Sequence, residues 1–421
     1  MAGIYVHIPF CRKACTYCNF HFSTSPGGLE EMAGAIIREA GIRKDYLDGA
    51  LVDTLYFGGG TPSLLGPSQL ETIIGSLRAL FPFSGDAEVT LEANPDDLTK
   101  TRLGDLKSCG VNRLSIGVQS LVDSDLRWMN RSHDAKGALE ALRLARESGF
   151  DNFSADLIYG LPSLGEESLS LQAEQLVSLG IPHLSCYALT VEPSTVLDHQ
   201  IRKKASRAPD PEQTARQFEL LDQLLTASGY DHYEISNFAL PGHRSRHNAN
   251  YWKGIPYLGL GPSAHSFNGT SRQWNISHNV QYLEAIGPGK IPAEREVLTP
   301  TQQLNESLLV SLRTREGMDL EQFGERWGKR QADELLEESE KFLNERLLIL
   351  EGSRLRMSVR GWLLADGITA SLFRIEKSGP ALPAEGMVPQ GADQVSQDQP
   401  PQEHQDEGAS KDRKRQGHKL N

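Results

Sequence analysis

Short apolar runs and longer amphipathic stretches take turns along the first 230 or so residues of the chain. The runs 3–8, 54–58, 88–92, 113–118, 153–158 and 184–189 are rich in apolar or β-branched residues, which predicts six strands. Between them, 30–47, 66–80, 98–108, 135–148 and 164–179 carry apolar residues at helical spacing. A further stretch, 211–228, puts Phe218, Leu221 and Leu225 on one face and opens with Pro211, which suits a first helical turn. Strand followed by helix, repeated, predicts a parallel sheet with right-handed crossovers. Six units fall short of the eight of a closed barrel, so pattern alone leaves both an open doubly wound sheet and a partial barrel standing. In either, functional residues belong at the carboxyl ends of the strands.

From about residue 299 the pattern changes to helices at 302–312, 320–327 and 331–343. A hairpin about 351–353 and a helix at 361–373 follow, which together predict a small α+β domain with a winged-helix look. After Phe373 the chain is rich in Pro, Gln, Glu, Gly and Ser and cannot bury enough apolar surface to fold. The expected division is 1–240, a connecting segment at 241–298, a C-terminal domain at 299–374 and a disordered tail at 375–421. The tail carries a small basic patch of Lys411, Arg413, Lys414 and Arg415.

Composition narrows the class without choosing within it. A hydrophobic content of 38% and a charged content of 23% suit a soluble protein, and no apolar run is long enough to span a bilayer. The net charge of −12 argues against general nucleic-acid binding. The start of the chain does not read as a signal peptide, and free thiols suit a reducing cytoplasm.

Chemistry concentrates at the end of the first strand. Cys11, Cys15 and Cys18 are spaced C-x3-C-x2-C, while the other two of the five cysteines, Cys109 and Cys186, lie far away. An odd count in a long chain does not suit a disulfide framework. Three thiolates can hold a cubane iron–sulfur cluster with one iron left for a small-molecule chelator. They can also supply most of a zinc site, with His7 or His21 as fourth ligand. Tyr17 and Phe20, turned inward, would shield a cluster from water.

Polar residues recur at the later strand ends: Gly58-Gly59-Gly60-Thr61-Pro62, Glu92, Gln119, Arg131 beyond the next short helix, and Asp156. Glycines there allow close backbone approach and expose N–H groups. A carboxylate closing an apolar strand needs a partner or a ligand.

The cysteine run, with Tyr5-Val6-His7-Ile8-Pro9-Phe10-Cys11 before it, resembles the radical S-adenosylmethionine (SAM) superfamily. Within it the stretch is similar to the branch of oxygen-independent coproporphyrinogen III oxidases and HemW-type haem chaperones, to about residue 370. The resemblance implies a partial six-unit (β/α)6 TIM-like barrel and a [4Fe-4S] cluster on Cys11, Cys15 and Cys18. It implies SAM on the open iron, whose reductive cleavage gives a 5′-deoxyadenosyl radical. By family position SAM would meet Tyr5 near the sulfonium, Tyr17 at the adenine, and Gly59, Gly60 and Thr61 at the methionine amino group. Glu92, Gln119 and Asp156 would serve the ribose and Arg131 the carboxylate.

Two departures turn the resemblance toward the chaperones. The oxidases carry a further cysteine where Phe20 stands, and an N-terminal extension before the motif. The implied protein binds haem and passes it to acceptor proteins, membrane-associated ones among them, without oxidising coproporphyrinogen. The rival expectation is an active radical SAM oxidoreductase working on a tetrapyrrole. Arg246-His247-Asn248-Ala249-Asn250-Tyr251-Trp252 matches the H-N-x-x-Y-W motif tied to haem in that branch. There His247 would be the axial ligand, with Arg244 and Arg246 near the propionates. Gly259 to Ser266, including His265, resembles a family segment that lines the cavity.

Overall fold

The computed structural model describes residues 1–25 and 27–375. The first half alternates as the pattern predicts: β1 (Ala2–Ile8), α1 (Leu29–Ile42), β2 (Val52–Gly59), α2 (Pro67–Leu80), β3 (Phe83–Ala93), α3 (Lys100–Ser108) and β4 (Arg113–Gln119). Two helices, α4 (Asp123–Trp128) and α5 (Ala135–Glu147), precede β5 (Phe153–Tyr159). Then come α6 (Glu166–Ser178), β6 (His183–Ala188), α7 (Val196–Arg202) and α8 (Pro211–Ala227). Helix starts follow local chemistry: Asp210 caps α8 by accepting from Glu212 N and Gln213 N, with Pro211 in the first turn.

β1 to β6 lie side by side in sequence order, all parallel, as the centre of a larger sheet. Beyond β6 the antiparallel pair β7 (Asp231–Glu234) and β8 (Asn237–Ala239) is added. After α9 (Arg246–Trp252), β9 (Tyr257–Leu260) returns to pair in parallel with β1 on the other side. The antiparallel β10 (His265–Phe267), β11 (Ser271–Asn275) and, after α10 (Asn279–Ile286), β12 (Ala293–Val297) continue outward. Residues 241–298, read from the sequence as a connecting segment, therefore extend the main sheet. Its edges are β12 and β7, which do not pair with each other, so the barrel stays open.

The parallel strands have two different faces. Leu55, Phe57, Val89, Leu91, Leu114, Ile116, Ala155 and Leu157 belong to the hydrophobic core. The residues of opposite parity are polar although buried: Thr54, Glu88, Thr90, Arg113, Ser115, Ser154, His183 and Ser185. A polar inner face is what a half-closed barrel around a ligand needs, and a doubly wound sheet covered by helices on both sides does not provide it.

The predicted helix 30–47 stops at Ile42 because Arg43 turns inward. Its guanidinium donates to Glu39 Oε1 (3.1 Å), Gly259 O (3.1 Å), Ser266 Oγ (3.0 Å) and Gln273 Oε1 (2.9 Å). Glu39, wholly buried on α1, also accepts from Asn275 Nδ2 (2.7 Å), Gly261 N (2.8 Å) and the Tyr282 hydroxyl (2.7 Å). This buried pair fastens β9–β11 and α10 to α1. Breaking one partner of a buried, hydrogen-bonded ion pair costs about 3–5 kcal/mol. Glu39→Ala is therefore expected to lower unfolding free energy by about that amount in denaturant titration, whereas a loss under 1 kcal/mol would show that the edge strands do not depend on it.

The C-terminal elements are α11 (Pro300–Ser311), β13 (Met318–Asp319), α12 (Leu320–Trp327), α13 (Lys329–Asn344), β14 (Leu348–Glu351), β15 (Arg354–Met357), α14 (Val359–Trp362) and α15 (Ala365–Ser371). β13, β15 and β14 form a small antiparallel sheet. The helix predicted at 361–373 is two helices. Ser358 caps the first early, and Leu364 leaves helical geometry between them. The expected disordered tail, with its basic patch, lies from residue 376 on outside the described residues.

Candidate functional site: a three-cysteine cavity at the strand ends

The cysteine loop leaves β1 at Pro9 and is fixed by its backbone. Cys11 N donates to Ser23 O (3.0 Å), Ser23 N to Pro9 O (2.9 Å), and Thr16 N to Met129 O (3.1 Å). Asn130 Nδ2 donates to Ala14 O (2.6 Å). The loop is thus tied across to the α4–α5 connection, which also delivers Arg131. All three thiols line one cavity of about 430 Å³, inside the range of roughly 300–1,000 Å³ common for small-molecule sites.

Tyr17, Gly59, Gly60, Thr61, Glu92, Gln119, Arg131 and Asp156 all line this cavity with the three cysteines. The glycines are required by close approach. A Cβ at Gly60 would stand 2.6 Å from Phe10 O, and one at Gly59, where φ is +105°, would strike the His7 imidazole. Their N–H groups, expected to face a ligand, are already bonded: Gly60 N donates to Ile8 O (2.9 Å) and Gly59 N to Glu92 Oε2 (3.2 Å). A ligand's ammonium group would have to use carbonyl oxygens there.

Two of the thiols accept side-chain hydrogen bonds of the kind a sulfur ligand receives. Thr61 Oγ1 donates to Cys11 Sγ (3.4 Å) and Arg131 Nη1 to Cys15 Sγ (3.3 Å). Arg131 Nη2 donates to Asn94 Oδ1 (2.7 Å) and Gly117 O (2.9 Å), while its buried Nε has no partner among the described residues. Burial raises the Cys18 thiol to about 11 and raises Cys11 as well. Without a metal these two thiols keep their protons, and metal binding would release them. Opposite stand two carboxyl groups. Burial, with the charge of Asp156 adding to it, raises Glu92 to about 7 despite hydrogen bonds from the Tyr56 hydroxyl (2.8 Å) and Gly59 N. Burial raises Asp156 to about 6, against the opposing pull of Ser185, Arg113 and Ser115. Gln119 takes a left-handed backbone (φ +66°) at the end of β4, a strained conformation of the kind that collects at ligand sites.

The zinc alternative is not favoured by the geometry. Among the described residues no three His, Cys, Asp or Glu groups converge as a single-ion site. His7 Nε2 is hydrogen-bonded to His21 O (2.8 Å), and His21 Nε2 to Asn279 Oδ1 (2.7 Å).

Three expectations need correcting. Phe20 does not turn in to shield the loop; it is 66% exposed at the cavity mouth. Tyr5 is not on the cavity wall but behind Tyr56, stacked on its ring at 6.1 Å with its hydroxyl 3.2 Å from His7 Nδ1. His247 does not reach the cavity and is 2% exposed, with Nδ1 bonded to Thr54 Oγ1 (2.9 Å) and Nε2 to the Tyr251 hydroxyl (2.9 Å). Neither ring nitrogen is free for a metal. The ring stacks on Tyr56 at 4.9 Å, so His247 supports the tyrosine that bonds Glu92. Arg244 and Arg246 are likewise engaged in the protein, with Asp231, Glu316 and Asp86. Site residues missed from the sequence include Tyr56, Asn94, Ser115 and Tyr187. Their signal was parity: each lies on the polar face of an otherwise apolar strand or just past its end.

This combination of a parallel strand–helix series and three cysteines looped over its strand ends defines a radical SAM protein. Residues 5–171 match the radical SAM superfamily, and residues 298–364 the HemN C-terminal domain. Coproporphyrinogen III oxidase (HemN) from Escherichia coli, a radical SAM enzyme, has a similar structure, with TM-score 0.77, 27% identity and 88% and 90% of the two chains covered. More closely, the chain is 36% identical to heme chaperone HemW of Mycobacterium tuberculosis, over 88% of this chain and 94% of the relative. It is 35% identical to heme chaperone HemW of Bacillus subtilis, over 78% and 88%. The chain belongs to the HemW family. No helix among the described residues is long and apolar enough to cross a membrane.

Proposed function

We propose that this protein is a cytoplasmic haem carrier that binds haem and delivers it to acceptor proteins, and that Cys11, Cys15 and Cys18 hold a [4Fe-4S] cluster with SAM at its open iron. The observation that carries the haem reading is the likeness to heme chaperones HemW along nearly the whole described chain. The cavity supports the cofactor set. It has three thiols, a guanidinium whose Nε has no partner among the described residues, two glycines in its wall, and two carboxyl groups that could meet hydroxyls. A cluster held there would supply one-electron chemistry to a bound SAM. The chain's own residues orient the nucleotide: Glu92 and Asp156 at the ribose, Gln119 beside them, Arg131 at the carboxylate, Tyr17 against the adenine. Thr61 and Arg131 also stabilise sulfur charge by hydrogen bonding. Tyr5 acts through Tyr56.

The structural likeness to a coproporphyrinogen III oxidase favours one rival, a SAM-dependent tetrapyrrole oxidoreductase. Phe20, standing where the oxidases have a further cysteine, counts against it. Anaerobically reconstituted protein is expected to take up haem, pass it to a haem-free acceptor, and leave coproporphyrinogen III unchanged under reducing conditions with SAM. Conversion to protoporphyrinogen IX would replace the carrier reading with the enzyme.

A further inference from the structure

The haem reading leaves open where haem sits. The proposed function gives the cysteine cavity to a cluster and a nucleotide, and His247 is buried with both ring nitrogens bonded. An axial imidazole needs a free nitrogen and open space beside it. His7 and His232 use both ring nitrogens, His133 and His183 are buried, and Nδ1 of His278 accepts from Gln281 N, which leaves the proton on Nε2. His21 keeps Nδ1 free, but the ring beside it is the His7 imidazole, with no flat apolar side chain for a macrocycle among the described residues. His265 differs. It is exposed, its ring makes no hydrogen bond among the described residues, and it lies alongside the Trp274 indole at 6.3 Å and 28°. His199 and His243 also lack ring hydrogen bonds, but neither has an aromatic neighbour among the described residues.

The register shows where His265 stands. Gly3 and Tyr5 of β1 pair with Tyr257 and Gly259 of β9, so Tyr257 continues the inner, polar face of the barrel past β1. Phe267 pairs with Tyr257, and His265, two residues earlier on β10, shares that face with its cross-strand partner Trp274. Tyr257 and Phe267 lie 6.4 Å apart, both half-buried. The result is an aromatic shelf beside the strand that carries the cysteine loop. Its polar edge is Arg272, opposite Phe267 and in a 2.9 Å ion pair with Glu306, with Glu294 and Glu296 of β12 opposite Trp274 and Arg272. Desolvation by the groups around the ring, and secondly the charge of Arg272, lower the imidazole's pKa, which favours the neutral form that ligates a metal.

We propose that His265 is the axial ligand of the bound haem, with Trp274 and Phe267 against the macrocycle. A flat apolar macrocycle and an iron that takes imidazole match the shelf's flat rings and free imidazole. The assignment rests on the haem-carrier reading, and the test separates the two.

Hemin is titrated into the full-length reconstituted chain while the Soret and visible bands are recorded. His265→Ala is expected to weaken binding at least tenfold and to lose the imidazole-ligated spectrum. His265→Met should keep stoichiometric binding with a shifted Soret band, as a swapped axial ligand does. His247→Gln, folded by circular dichroism, should keep the wild-type spectrum. If wild type binds hemin and His265→Ala matches it in affinity and spectrum, the ligand assignment is overturned and the carrier reading stands. If wild type takes up no hemin, both fall.

Discussion

Cys15→Ala is expected to abolish cluster assembly while leaving the fold intact. The three cysteines sit on a loop whose position is set by backbone bonds at Cys11, Thr16 and Ser23 and by Asn130, none of which uses a thiol. Losing only the hydrogen-bond partner of a metal ligand costs roughly 10–100-fold in metal affinity, and losing the ligand itself costs more. Iron and sulfide in reconstituted Cys15→Ala should therefore fall more than about tenfold below wild type, with the thermal midpoint of the apoproteins nearly unchanged. Arg131→Ala, which strips the guanidinium from Cys15 Sγ, should fall between the two. Equal iron and sulfide in wild type and Cys15→Ala would remove Cys15 from the site.

The second large effect concerns SAM affinity and its dependence on pH. Glu92, near 7, and Asp156, near 6, are raised mainly by burial, so both ionise within the physiological range. A ligand carrying hydroxyls, an ammonium and a sulfonium is held better by the ionised forms. SAM affinity is expected to be greatest above pH 7 and to weaken as pH falls through 7 and then 6. Hydrogen bonds to charged groups contribute about 1.5–3 kcal/mol, so Glu92→Gln should weaken SAM by about 10–100-fold at pH 8. The variant should also lose the upper part of the pH dependence. Isothermal titration across pH 5.5–8.5 reads both effects, and a flat profile in wild type would show that neither carboxyl group holds the nucleotide. For the fold alone the sign is opposite. A carboxyl raised from the ordinary value near 4.5 to about 7 binds its proton more tightly when folded. The ligand-free protein thus gains stability as pH falls through that window.

How legible this was in the sequence differs from element to element. The six parallel strands and their helices follow from periodicity because each helix has one apolar face and each strand a run of β-formers. Helix ends were less legible where tertiary contacts set them. Nothing local says that Arg43 turns in to Glu39, Gly259 and Ser266, and so α1 stops five residues before the predicted 47. The choice between open barrel and doubly wound sheet was available in the alternation of Thr54, Tyr56 and Gly58 with Leu55 and Phe57, repeated in Glu88, Thr90 and Glu92. It passes unnoticed when a strand is scored only as apolar.

Site residues at strand ends were legible because the βα arrangement brings such ends together. Tyr5 and His247 were placed too near the ligand because a motif gives residue type but not depth. Tyr5 lies one layer below the cavity wall, and His247 faces inward on α9 against Thr54 and Tyr56. The shelf around His265 depends on β9 returning to pair with β1, a contact between residues some 250 positions apart that no short pattern contains.

The most direct test of the central arrangement is the electron paramagnetic resonance spectrum of anaerobically reconstituted, dithionite-reduced protein, recorded with and without SAM. Three thiols around one cavity and an open iron predict the signal of a reduced cubane whose line shape changes when SAM is added and returns when SAM is removed. A cubane signal indifferent to SAM, or no cubane signal at all, would contradict it.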